Sequence, residues 1–216
     1  MRRPLPLTVL TAVLAVLLLA CGAPAGSTPG TPGTPTSSAP SASPSASPSA
    51  SPSARAAGLP SRSRWLADVA KVMAGSSTAL DKQIAKAGTG KRLAVVLDID
   101  NTSIATQYAY PDPVAKVLAF ARHAVARKVT VYFVTGRYQA KLGSIRPVLT
   151  RAGYRYAGIC GRKSGESLAT GKQRCRKRIA QNGFTIIASA GNRATDFAGT
   201  GYGLAFRLPN YGNRLS

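Results

Sequence analysis

From residue 59 onward the chain alternates apolar runs with amphipathic stretches, the order expected of a parallel sheet with crossover helices. "LAVVLDI" (93–99) is apolar without alternation up to its acid, as in a strand buried on both faces. "VTVYFVTG" (129–136) predicts a second strand, "YAGIC" (156–160) a third, "FTIIASAG" (184–191) a fourth and "GLAFRL" (203–208) a fifth. Ser61 or Ser63 can cap a first helix carrying Trp65, Val69, Val72, Met73, Leu80 and Ile84, which "GSS" (75–77) breaks or bends. Asp112-Pro113 predicts the start of a helix running to about Arg127, with Val114, Val117, Leu118, Ala121 and Val125 on one face and His123 opposite, toward solvent. A helix over 138–152 is expected to be interrupted by Pro147. "GKQRCRKRIAQNG" (171–183) predicts a basic helix stopped by Gly183.

The first 58 residues read differently. Arg2 and Arg3 precede the apolar stretch "LTVLTAVLAVLLLA" (7–20), so residues 1–20 read as a signal peptide rather than a membrane span. "LLAC" (18–21) resembles the lipobox of bacterial lipoproteins, which implies cleavage before Cys21 and lipidation of its thiol; plain secretion is the alternative. The rest of 21–58 is a Pro/Ser/Ala/Gly repeat without the apolar content to collapse, as expected of an extended tether. Residues 59–216 are left as one domain, exported and held on the outer face of a bacterial membrane or released.

The chain carries 29 Lys and Arg against 7 Asp and Glu, a formal net charge of +22. Such a surface attracts anions, among them phosphorylated small molecules and anionic envelope polymers. The basic residues are scattered rather than gathered in one tract, which argues against a specific nucleic-acid partner. With Cys21 assigned to the anchor, Cys160 and Cys175 remain as one pair, either a disulfide or two buried thiols. The single histidine leaves little support for a histidine nucleophile or a Ser-His-Asp hydrolase.

Ligand chemistry in parallel α/β sheets collects at the carboxyl ends of the strands. There the sequence places Asp98, Asp100 and Thr102; then Thr135, Gly136 and Arg137; and "GNRATD" (191–196) after the fourth strand, with Lys172 in the basic helix. "DIDNT", "VTGR", Lys172 with Arg176, and "GNRATD" resemble, in order, the four motifs of the haloacid-dehalogenase (HAD) superfamily of phosphohydrolases. The resemblance covers roughly residues 90–208 and implies a Rossmann-like core. Intervals of about 37 residues between the first three motifs leave no room for a large inserted cap, a pattern similar to the secreted acid phosphatase branch, class B or plant type, where a small N-terminal helical segment helps roof the site.

The resemblance implies a phosphomonoesterase that forms an aspartyl-phosphate on Asp98, with Asp100 as general acid and base and with Mg²⁺ as cofactor. Thr135 and Gly136 would bind phosphate oxygens with Lys172, Arg137 is either a further phosphate contact or a surface charge, and Asp98, Asp100, Asn192 and Asp196 would surround the metal. Two adjacent carboxylates after an apolar strand fit this independently, since their desolvation needs a cation to offset it. The departure is Asn192, where the family usually has an aspartate; it keeps a second reading open, a weakly active or non-catalytic anion-binding envelope lipoprotein. Tyr108 and Tyr110 either stack on a leaving group or pack under the N-terminal segment. Arg162 and Lys163 read as solvated loop charges.

Overall fold

A computed structural model describes residues 58–215. The expectations for the signal peptide, for Cys21 and for nearly all of the tether lie outside the described residues. No helix among the described residues is long and apolar enough to cross a membrane.

Five strands, β1 (Arg92–Leu97), β2 (Thr130–Tyr138), β3 (Gly158–Arg162), β4 (Phe184–Gly191) and β5 (Leu204–Arg207), form one sheet in the order β3-β2-β1-β4-β5. All pairs are parallel. The unbroken apolar run of β1 is explained by its place at the centre, covered on both faces. Leu93, Val95 and Leu97 face the larger core with Trp65, Val69, Leu80, Val117, Phe120 and Phe133. The alternating Ala94 and Val96 face Cys175 and Ile179. The first face is covered by α1 (Arg62–Met73), α2 (Ser76–Ala87) and α4 (Ala115–Ala126), and the second by α6 (Leu168–Gln181). A short α3 (Thr106–Ala109) and α5 (Ile145–Arg151) complete the helices of the described residues. Among the described residues, no large cap is inserted between the strands.

Ser61 caps α1 through a bond from the Arg64 N–H (3.3 Å), and the chain breaks at Gly75, whose φ of 68° favours glycine. Other boundaries differ from the sequence expectation for identifiable reasons. Asp112-Pro113 does not start α4; Asp112 pairs with Arg62 of α1 (3.0 Å), Pro113 bridges to Ile104, and the helix begins two residues later. Pro147 is the third residue of α5, inside the first turn where no backbone donor is needed, so it interrupts nothing. Instead, a single 3-10 turn (Gln139–Lys141) separates β2 from α5. His123 is half-buried, its Nε2 3.0 Å from Asp81 on α2.

The bridge between Cys160 of β3 and Cys175 of α6 is formed. It spans 15 residues of sequence, so in the chain-entropy account it stabilises the fold by about 3 kcal/mol. Urea unfolding with and without reductant should therefore show an unfolding free energy lower by that amount and a lower midpoint in reductant; coincident transitions would refute it.

Candidate active site

The strand order reverses direction between β1 and β4, and the acids following β1 lie at that switch point. A cleft of about 320 Å³ opens there, lined by Asp98, Asp100, Gly136, Arg137, Tyr138, Arg162, Leu168, Lys172 and Arg193. β1, β2 and β3 contribute their carboxyl ends, β4 the turn that follows it, and α6 Lys172 and Leu168.

Asp98 is 5% exposed, and its backbone N–H continues the sheet by donating to the Ala190 carbonyl (2.9 Å). The Ser103 hydroxyl donates to the Asp98 carbonyl (2.7 Å), and Thr102 approaches carboxylate Oδ2 (3.4 Å). Thr102 thus secures the loop rather than lining the cleft. Asn101 takes a left-handed φ of 52°, which asparagine tolerates, and its side-chain oxygen accepts from the Gln107 N–H (2.7 Å). Its full burial places the formal glycosylation sequon at 101–103 out of reach.

Lys172 Nζ lies 3.0 Å from Asp98 Oδ1 and also contacts Asp196. Lys172 is the fifth residue of α6 rather than its start, because Ser167 caps the helix earlier by accepting the Thr170 N–H (3.1 Å). Burial, reinforced by the Asp196 charge and opposed by Lys172, pushes the Asp98 carboxyl up to about 7. Burial pulls Lys172 the other way, but the charges of Asp98 and Asp196 outweigh it and hold the ammonium above the usual lysine value. Asp196 also accepts the Arg193 N–H (2.8 Å) and packs so tightly on the end of β4 that a Cβ at Gly191 would meet its carboxylate at 2.3 Å. Arg176 lies beneath, donating to the carbonyls of Asp196 (2.7 Å), Ala198 and Thr200 (3.3 Å). A guanidinium suits this buried task because it presents five donors in a fixed fork.

Asp100 is held by a fork, with Arg137 Nε and Nη2 at 2.8 and 2.6 Å and the Thr106 hydroxyl at 2.8 Å. Arg137 is therefore more than a surface charge. Thr135 is buried behind the cleft, its hydroxyl accepting the Arg137 N–H (3.2 Å) while keeping its own proton to donate. Gly136 permits the close approach of Leu168, whose Cδ2 a Cβ would meet at 2.8 Å.

The residues left to one side are as informative. Tyr108 stacks on Trp65 (4.8 Å between centroids) and donates to the Pro60 carbonyl (3.0 Å), the packing role, whereas Tyr110 is exposed. No residue of α1 or α2 lines the cleft; the N-terminal helices reach the site through Tyr108 and the 105–113 loop. Arg162 and Arg193 line the cleft, where the sequence reading had Arg162 as a loop charge and did not single out Arg193. Their position at strand ends was the available signal.

Among the described residues, no three His, Cys, Asp or Glu side chains form a metal-ligand group. The donors that fit a hard cation are of another kind. Asn192 Nδ2 donates to the Leu215 carbonyl (3.1 Å), while its Oδ1 is buried without a partner. Such an oxygen costs about 1–3 kcal/mol unless something coordinates it. Asp98, Asp196 and Lys172 sum to one buried negative charge in its neighbourhood on the sheet. An unmet oxygen and an excess of buried carboxylate fit a divalent ion with oxygen ligands.

Fold and site together define a phosphohydrolase of the HAD type. Residues 105–214 match the model of the HAD superfamily, subfamily IIIB (acid phosphatase). The chain belongs to that family and is a phosphomonoester hydrolase. The match begins just after the first motif, so the structure is what brings Asp98 and Asp100 to the matched segment. Two solved structures of the class C acid phosphatase from Bacillus anthracis superpose on the chain with a TM-score of 0.57, one of them with tungstate bound. They are 18% and 20% identical, covering 70% of this chain and 80% of theirs. These neighbours are class C enzymes rather than the class B or plant type expected from sequence. No curated protein matches the sequence.

Proposed function

We propose that the protein is an extracytoplasmic phosphomonoesterase that acts through an aspartyl-phosphate on Asp98 and requires Mg²⁺. The observation that carries this is the buried Asp98 carboxylate at the cleft, gripped on Oδ1 by Lys172 and leaving Oδ2 the freer oxygen. In the first half-reaction Asp98 attacks phosphorus, the ester P–O bond breaks, and the leaving oxygen takes a proton from Asp100. In the second, water attacks the phosphorus, Asp100 takes the water proton, and the Asp98–phosphorus bond breaks to release phosphate. The Arg137 fork and the Thr106 hydroxyl fix the orientation of the Asp100 carboxyl for both transfers. Arg137 keeps three N–H groups beyond those on Asp100, and these, with Lys172, the Thr135 hydroxyl and the Gly136 backbone at the end of β2, bind the equatorial oxygens.

Asp98, the Asp100 carbonyl, Asn192 and Asp196 would hold Mg²⁺, which when bound neutralises phosphoryl charge and favours ionised Asp98. Phosphate release from phenyl phosphate should stop in EDTA and return with Mg²⁺; release indifferent to EDTA would defeat the metal requirement. Asn192→Asp restores a full charge but removes the donor to Leu215. Calorimetry should show Mg²⁺ binding tightened on the order of tenfold, together with a lower melting temperature without metal. Unchanged Mg²⁺ affinity would remove Asn192 from the ligand set.

For localisation, residues 1–20 act as the signal, Cys21 carries the lipid, 21–58 is the tether and 59–216 the catalytic domain on the outer face of the bacterial cell membrane, with secretion as the alternative. The Cys160–Cys175 bridge supports this, since disulfides persist in oxidising compartments.

A further inference from the structure

We propose that the cleft selects phosphomonoesters whose leaving group carries a second anionic group, a phosphate or a carboxylate, held by Arg162 and Arg193. The proposal rests on the phosphomonoesterase reading and names the substrate class for that site.

The chain has seven acids, and every one is already in an ion pair. Asp68 pairs with Arg64 and Lys71, Asp81 with His123 and Arg127, and Asp112 with Arg62. Asp98 and Asp196 pair with Lys172, Asp100 with Arg137, and Glu166 with Arg174. Of the four cations lining the cleft, Lys172 and Arg137 are therefore committed to its carboxylates, whereas Arg162 and Arg193 have no carboxylate partner among the described residues. On the phosphomonoesterase reading, the transferred phosphoryl group takes the donors that Lys172 and Arg137 keep beyond those carboxylates, which leaves the other two guanidiniums for the rest of the ester.

Arg162 is set in place before any ligand arrives. Its Nε donates to the Gly136 carbonyl (2.9 Å) and Nη1 to the Glu166 carbonyl (3.3 Å), so Nη2 and one Nη1 proton are left for a ligand. The guanidinium lies 4.1 Å over the Tyr138 ring. Its stem packs on Gly171 of α6, where a Cβ would meet Arg162 Cβ at 2.6 Å. The loop behind it is fixed in turn. The Lys163 N–H donates to Glu166 (2.6 Å), and Arg174 donates both to Glu166 (2.6 Å) and to the Gly161 carbonyl (2.8 Å). A charge held this way loses little side-chain entropy on binding an anion. Arg193 has its backbone fixed by the Asp196 carboxylate while its side chain lines the same cleft.

The stacking also decides between ligand types. The Tyr138 face covered by Arg162 is closed to a flat aromatic leaving group, while the outward edge of the guanidinium is open to an anion. A partly buried arginine held only by neutral carbonyls gains most from a charged acceptor, which it can meet in bidentate fashion.

Matched esters of a three-carbon alcohol test this on the purified protein with Mg²⁺: n-propyl phosphate, 3-(phosphonooxy)propanoate and propane-1,3-diyl bisphosphate. The expected result is a kcat/KM for one or both dianchored esters about tenfold or more above that of propyl phosphate, the gain residing in KM. Whichever ester gains identifies carboxylate or phosphate as the second group. Arg162→Met and Arg193→Met should each reduce that ratio severalfold, the double variant should bring it to about one, and Arg162→Lys should restore part of it. A merely structural loss would lower all three esters together and leave the ratio intact, which overturns the proposal, as does equal use of the three esters by the wild type. Release from none of the esters would instead overturn the phosphomonoesterase reading, and the proposal with it.

Discussion

Asp98→Asn is expected to lose phosphate release from phenyl phosphate by on the order of 10⁴-fold, with no phosphorylated protein detectable by intact mass after rapid acid quench. The substitution is isosteric, and Lys172 retains Asp196 as a partner, so the loss would report chemistry rather than collapse. An amide oxygen cannot serve as the carboxylate nucleophile that the proposed covalent step needs. The stability arm runs opposite to the activity arm. The Asp98 carboxyl is raised from 3.8 to about 7, chiefly by burial, so its contribution to stability is full below pH 3.8 and is lost as pH rises through about 7. A neutral asparagine escapes that loss. Without metal, the variant should melt no lower than wild type at pH 8, while at pH 5 the comparison shifts toward wild type. Turnover surviving the substitution would refute the covalent mechanism.

Lys172→Met should be the most destabilising change at the site, about 3–5 kcal/mol by urea unfolding, with loss of phosphate release. Among the described residues, its ammonium is the one cation paired with both Asp98 and Asp196. Methionine matches much of the volume of the lysine stem, so packing changes little while two nearly inaccessible carboxylates are left facing each other. Unfolding free energy within 1 kcal/mol of wild type would show that the ammonium is not what offsets their burial.

Much of this site could be read in the chain before folding. β1 was legible because a central parallel strand must be apolar on both faces, and the acids that follow it stand out in a protein with so few. Asp98, Asp100, Gly136, Arg137 and Lys172 do converge at one cleft, with Thr135 just behind it. What stayed hidden depended on partners far away in sequence. Asp112-Pro113 carries a helix-start signal, yet the pull of Arg62, fifty residues earlier, uses that carboxylate elsewhere. The α6 boundary was missed because Gly171 reads as a helix edge, whereas here it makes room for Arg162 within the helix. Arg162 and Arg193 were obscure for the opposite reason. In a chain with 29 basic residues, no single arginine stands out until the fold shows which ones face the cleft. The orphaned oxygen of Asn192 likewise exists only because Leu215 claims the other end of the amide.

The complete pairing of the seven acids has a consequence for how the molecule meets its surroundings. The charge rests on 29 lysines and arginines, residue types that ordinarily stay charged between about pH 5 and 9, and burial lifts Asp98 to about 7. The formal charge, +22 for the chain and +20 once Arg2 and Arg3 leave with residues 1–20, therefore behaves almost as a fixed quantity. Adhesion to an anionic matrix would be governed by ionic strength, which shortens the Debye length from about 30 Å at 0.01 M to about 8 Å at 0.15 M, and scarcely by acidity. On a cation exchanger the protein should elute at nearly the same salt concentration across that pH range, a polycation released by brine and not by buffer.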